Sequence, residues 1–78
     1  MFGYTVYFWS NERGEPMHVH MCRGAARPNA TKVWILENGR VSLEHNKSNI
    51  PLRDLNKLLR AITDNIEMIE TEWNKFFN

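Results

Sequence analysis

Val33-Trp34-Ile35-Leu36-Glu37-Asn38-Gly39-Arg40-Val41-Ser42-Leu43-Glu44 consists of two runs rich in β-branched, aromatic and leucine residues around an Asn-Gly dipeptide. Asn-Gly suits a two-residue type I′ turn, because both central positions of that turn need positive φ. The stretch therefore reads as a β-hairpin. A two-residue turn sets Glu37 opposite Arg40, Leu36 opposite Val41, Ile35 opposite Ser42, Trp34 opposite Leu43 and Val33 opposite Glu44. Side chains alternate along a strand, so Trp34, Leu36, Val41 and Leu43 are expected on the core face. Val33, Ile35, Glu37, Arg40, Ser42 and Glu44 are then expected on the other.

Working upstream, residues 23–30 form a loop with two arginines, Arg23 and Arg27. Residues 17–22 and 3–9 are apolar, aromatic and β-branched, and read as two more strands. Residues 10–15 carry turn chemistry and make the first pair a hairpin as well. Strand one admits two assignments. Either Tyr4, Val6 and Phe8 point inward and Thr5, Tyr7 and Trp9 outward, or the reverse.

Downstream, the apolar period changes at Pro51. Leu52, Leu55, Leu59, Ile62, Ile66, Ile69, Trp73 and Phe76 recur at steps of three and four, which is the stripe of an amphipathic helix. Pro51 suits the first helical turn and Asp54 suits the positive end of the helix dipole. Thr63-Asp64-Asn65 are weak helix formers, so a bend is admissible there. A helix over 52–76 would be about 37 Å long, against about 17–24 Å for strands of five to seven residues. It either breaks near Asp64 or extends past its own sheet, leaving Ile66, Ile69, Trp73 and Phe76 for a second chain.

The expected fold is α+β and two-layer. A four-stranded, largely antiparallel sheet of two hairpins (residues 1–46) is covered by one long C-terminal helix (residues 51–77), in one domain spanning 1–78. One sheet face is expected to be left open. A chain of 78 residues buries only roughly 60–65% of its unfolded surface, so a dimer is expected to add stability. Cys22 is the only cysteine and Met1-Phe2-Gly3-Tyr4 lacks a basic leader, which together point to a reducing, cytoplasmic setting. No apolar run approaches the roughly 20 residues of a membrane span. A net charge of +1 gives no bulk attraction to nucleic acid and leaves only a local patch for that role.

His18 and His20 carry the most suggestive chemistry. At i and i+2 of a strand they share a face, with Cys22 next along it. Three readings apply. Two imidazoles serve as general acid and base on a phosphodiester, making an RNA-cleaving toxin. With further ligands they bind a metal, but zinc needs three or four, so no metal and no cofactor is assigned. As ordinary strand residues they do no chemistry. The candidate binding face groups Tyr7, Trp9, His18 and His20 with Arg40, Ser42 and Glu44. There is no Walker motif, CxxC pair or dinucleotide fingerprint.

Gly3-Tyr4, Val6-Tyr7-Phe8, Gly14-Glu15-Pro16 and His18-Val19-His20, with Asn29-Ala30-Thr31-Lys32-Val33-Trp34 and the Trp73 helix, resemble the small bacterial proteins grouped as domain of unknown function 4160. Nearly the whole chain is covered. The resemblance implies no established activity. It implies a bacterial protein that is a candidate component of a toxin–antitoxin-like gene pair, with a partner protein encoded nearby. Met21-Cys22 after the second histidine departs from the family pattern. A protein-binding module is therefore the leading functional expectation, ahead of the RNA-cleaving toxin and the metal-binding protein.

Overall fold

The computed structural model describes residues 1–9 and 14–77. The expected 10–15 turn thus lies largely outside the described residues. Strands β1 (Tyr4–Tyr7), β2 (His18–Arg23), β3 (Thr31–Ile35) and β4 (Val41–His45) precede helices α1 (Leu52–Asp64) and α2 (Ile66–Phe77). The sheet is an antiparallel meander in the order β1-β2-β3-β4. The α+β class and the four antiparallel strands are as the sequence reading had them. The single long helix is not.

The helix breaks at Asn65. Its φ of −117° departs from helical geometry. Its side-chain amide donates to the Ala61 carbonyl at 2.7 Å and its backbone N–H to Ile62 at 3.1 Å, which closes α1. The Asn65 carbonyl then accepts from Ile69 N–H at 3.1 Å, which opens α2. A polar side chain that competes for backbone groups ends one helix and starts the next. Beyond this break Ile66, Ile69 and Trp73 are buried within the chain. Of the four residues assigned to an oligomer interface only Phe76 is exposed. The overhang that argued for a second chain is absent.

The β3–β4 register also differs by one residue from the sequence reading. Leu36 N–H donates to Arg40 O at 2.8 Å and Gly39 N–H to Leu36 O at 3.3 Å. Gly39 alone of the Asn-Gly pair has positive φ, at 76°. The connection is a three-residue turn closed by a left-handed glycine, the next most common hairpin geometry. Ile35 therefore faces Val41, Trp34 faces Ser42 and Val33 faces Leu43, with an irregularity between Lys32 and Val33. A slip of one residue exchanges the two faces. Val33 and Ile35 belong to the core, not Trp34 and Leu36. Trp34 instead lies on the opposite face, where its indole N–H donates to Glu44. Leu36 and Leu43 are exposed.

The core lies between the sheet and the helices. Tyr4, Val19, Met21, Val33 and Ile35 pack against Leu55, Leu58, Ile62, Ile66 and Ile69, with Val6 at the margin. Strand one thus takes the assignment that turns Tyr4 and Val6 inward. Residues 46–50 enter α1 through a half-buried polar clamp. Asn46 Oδ1 accepts from Thr31 Oγ1 at 2.6 Å and from Ile50 N–H at 3.0 Å, and its amide donates to Ile50 O at 2.9 Å. Ser48 Oγ accepts from Thr31 N–H at 3.1 Å and donates to Met21 O at 3.2 Å. The loop is held by side chains where it lacks strand or helix bonds of its own.

Candidate functional site

The histidines are placed by strand pairing. His18 pairs with Trp34, and His20 with Lys32 and Tyr7. These partners put both rings on the sheet face away from Val19 and Met21, as alternation requires. That face is not open. His18 is fully buried and His20 is 7% exposed, and Cys22 beside them is buried too. The covering comes from residues distant in the sequence, which no local pattern shows. Trp73 of α2 meets His18 at 5.2 Å between ring centroids, and Trp34 meets it at 5.4 Å, both edge-on. Tyr7 stacks on His20 at 5.6 Å, and the two imidazoles meet edge-to-face at 5.1 Å. His18 Nδ1 lies 2.8 Å from Pro16 O. A carbonyl only accepts, so Nδ1 carries a proton and the ring is fixed in orientation.

The 24–27 loop covers the rest of this face. Tyr7 Oη donates to Arg27 O at 2.7 Å and accepts from Arg27 N–H at 3.1 Å. Cys22 Sγ donates to Ala25 O at 3.2 Å. Burial pushes the Tyr7 phenol above the ordinary tyrosine range, partly opposed by the Arg27 backbone bond. A group whose folded pKa is raised stabilises the fold below its unfolded pKa, and that contribution is lost as pH rises through the folded pKa. Tyr7→Phe should cost about 1 kcal/mol near neutral pH. It should also remove part of the alkaline loss of stability above about pH 10. Urea titrations of both proteins at neutral and alkaline pH check this; parallel curves for the two would contradict it.

Of the remaining residues assigned to this face, Trp9 lies edge-on to Tyr7 at 5.1 Å. Ser42 is paired with Trp34, and Glu44 accepts the Trp34 indole N–H. Arg40 sits in the turn before β4. Ser42, Glu44 and Arg40 are exposed. Lys32 lies 4.3 Å from the Trp34 ring centroid and 3.0 Å from Glu15 Oε1. Among the described residues no group of three His, Cys, Asp or Glu side chains converges as a metal would require.

A second feature has no counterpart in the sequence reading. A groove of about 280 Å³ runs between β1 and α2, lined chiefly by Met1, Val6, Phe8, Met68, Ile69 and Glu72. Large apolar side chains stand exposed along it or beside it: Met68 is 55% and Phe76 61% exposed, and Phe76 meets Phe8 at 5.1 Å. Phe2, 64% exposed, precedes β1 with a φ of 52°. Left-handed backbone is costly for a bulky residue and is found where tertiary structure imposes it. Glu72 is the acidic residue of the lining and pairs with Lys75 of the same helix at 3.3 Å, while Glu70 lines a separate cavity beside Trp73. The helical stripe signalled Ile69. Met68 falls off the stripe and its exposure depends on where β1 meets α2.

An antiparallel meander backed by two helices, with its His-x-His strand buried on both faces, defines a small α+β domain. The family described as Domain of unknown function (DUF4160) matches residues 3–74, and the chain belongs to that family. No curated protein and no solved structure matches it. No helix among the described residues is long and apolar enough to cross a membrane.

Proposed function

We propose that this protein is a protein-binding module, one component of a toxin–antitoxin-like pair, and that it receives its partner in the β1–α2 groove. The observation that carries the reading is the exposure of Met68 and Phe76 at an apolar groove. Monomeric proteins seldom leave contiguous apolar patches without a use for them. The apolar lining selects the partner's chemistry: an amphipathic segment whose apolar anchors are laid in the groove. Methionine at such a site adapts to varied side chains. His18 and His20 support this module as packing residues. A general acid or base must reach the proton it transfers, and here both rings are enclosed by aromatic neighbours.

The test is co-expression with the product of the adjacent gene, followed by gel filtration. A stable heterocomplex is expected. Met68→Lys should weaken it at least tenfold while leaving thermal stability within a few degrees, because Met68 is an exposed side chain. Separate elution of the two proteins at tens of micromolar would overturn the reading, as would a complex indifferent to Met68→Lys. Self-association lost on the same substitution would make a second copy of the chain the occupant instead.

A further inference from the structure

A cleft of about 330 Å³ opens where the 23–27 loop meets the entry to α1. It shares no lining residue with the β1–α2 groove. Its walls include Tyr4, Arg23, Arg27, Ser48, Asn49 and Pro51. We propose that this cleft binds the phosphate group of a small phosphorylated ligand, with Arg23 and Arg27 as its two cationic arms.

Both arginines are exposed, and each is anchored by hydrogen bonds to the fold. Arg23 Nη2 donates to Tyr4 Oη at 2.9 Å, and the guanidinium carbon lies 5.2 Å from the Tyr4 ring centroid. Tyr4 Oη in turn donates to Asp54 Oδ2 at 2.6 Å, and Arg23 Nη2 lies 3.5 Å from the same oxygen. Arg27 Nη2 donates to Arg23 O at 2.7 Å, while its backbone is fixed by Tyr7 on both sides. A guanidinium has five donors, and each of these bonds uses one nitrogen, so both forks retain donors for a ligand. Asp54 neutralises part of one arginine and leaves Arg27 uncompensated by any ion pair among the described residues.

The opposite wall is equally fixed. The Thr31–Asn46–Ser48 clamp fastens the segment that carries Ser48 and Asn49. The Asn49 side chain is exposed and available as a further donor. Pro51 opens α1 with no side-chain cap, adding positive dipole character to the same wall. Two planar forks favour phosphate, whose several oxygens accept paired bonds, over a single point anion. The volume lies at the lower end of the range for small-molecule sites, which suits a mononucleotide-sized ligand and not a large cofactor.

Amide and arginine Nε chemical shifts, followed in low salt during titration with inorganic phosphate, adenosine monophosphate and adenosine, test the proposal. Saturable shifts are expected at Arg23, Arg27, Ser48 and Asn49 with the two phosphates and not with adenosine. Tighter binding of the monophosphate than of phosphate would identify the source as a nucleotide; equal binding would identify phosphate alone. Arg27→Gln should weaken binding at least tenfold, Arg27→Lys by less, and Arg60→Gln on the exposed side of α1 not at all. Absence of saturation by tens of millimolar phosphate would overturn the proposal, as would equal weakening by Arg60→Gln. Because the cleft and the groove have separate linings, Met68→Lys should leave these shifts unchanged.

Discussion

Trp73→Ala is expected to destabilise the protein by about 3–5 kcal/mol, the usual range for removing a buried large aromatic. Trp73 is 8% exposed and meets Phe8 at 5.2 Å, His18 at 5.2 Å and Phe77 at 4.3 Å. It joins the end of α2 to the histidine face, so its loss opens both. In a domain of this size the melting temperature should fall by more than about 10 °C. Phe76→Ala, at an exposed ring of the same helix end, should cost about 1 kcal/mol. The Trp73→Ala loss should not vary with protein concentration, because the burial is within one chain. Thermal unfolding at two concentrations decides this. Similar losses for the two variants would mean that α2 does not dock as described.

Asn46→Ala is expected to cost about 2–4 kcal/mol, since it strips partners from the Thr31 hydroxyl and from both backbone groups of Ile50. Thr31 is fully buried, and water does not restore the lost bond readily there. Asn46→Asp keeps the acceptor and loses the bond to the Ile50 carbonyl, so a smaller loss is expected. Denaturant titration measures both. The clamp should also show in hydrogen exchange, with protection at Ile50 collapsing in Asn46→Ala while that of β2 persists. A change within 0.5 kcal/mol of wild type, roughly the effect of an ordinary surface substitution, would contradict the clamp.

The elements were legible in the sequence because composition and periodicity encode them directly. Runs of β-branched, aromatic and apolar residues marked the four strands, and the stripe from Leu52 to Phe76 marked the helical region. The register of β3–β4 was not legible for a specific reason. Asn38-Gly39 serves both a two-residue turn and a three-residue turn closed by left-handed Gly39, and the choice exchanges Trp34 for Val33 on the core face. The helix break was half visible. Thr63-Asp64-Asn65 showed weak propensity, but the break depends on the Asn65 amide capping Ala61.

The candidate site divides in the same way. Alternation placed His18 and His20 on one face, which strand pairing reproduces. Their enclosure depends on Trp73, more than 50 residues away, and on the 24–27 loop folded over Cys22. No local pattern carries that information. The Asn46–Ser48 clamp was hidden because a polar run between a strand and a helix reads only as a loop. The β1–α2 groove was hidden because it exists only where the first strand meets the last helix.

Amide hydrogen exchange on the protein alone and bound to the product of its neighbouring gene tests the central claim most directly. The account expects new protection in β1 and in α2 from Ile66 to Phe76, with β4 and the 23–27 loop unchanged. Protection confined to β4, or to the 23–27 loop and residues 48–51, with β1 and α2 exchanging as in the free protein, would contradict it.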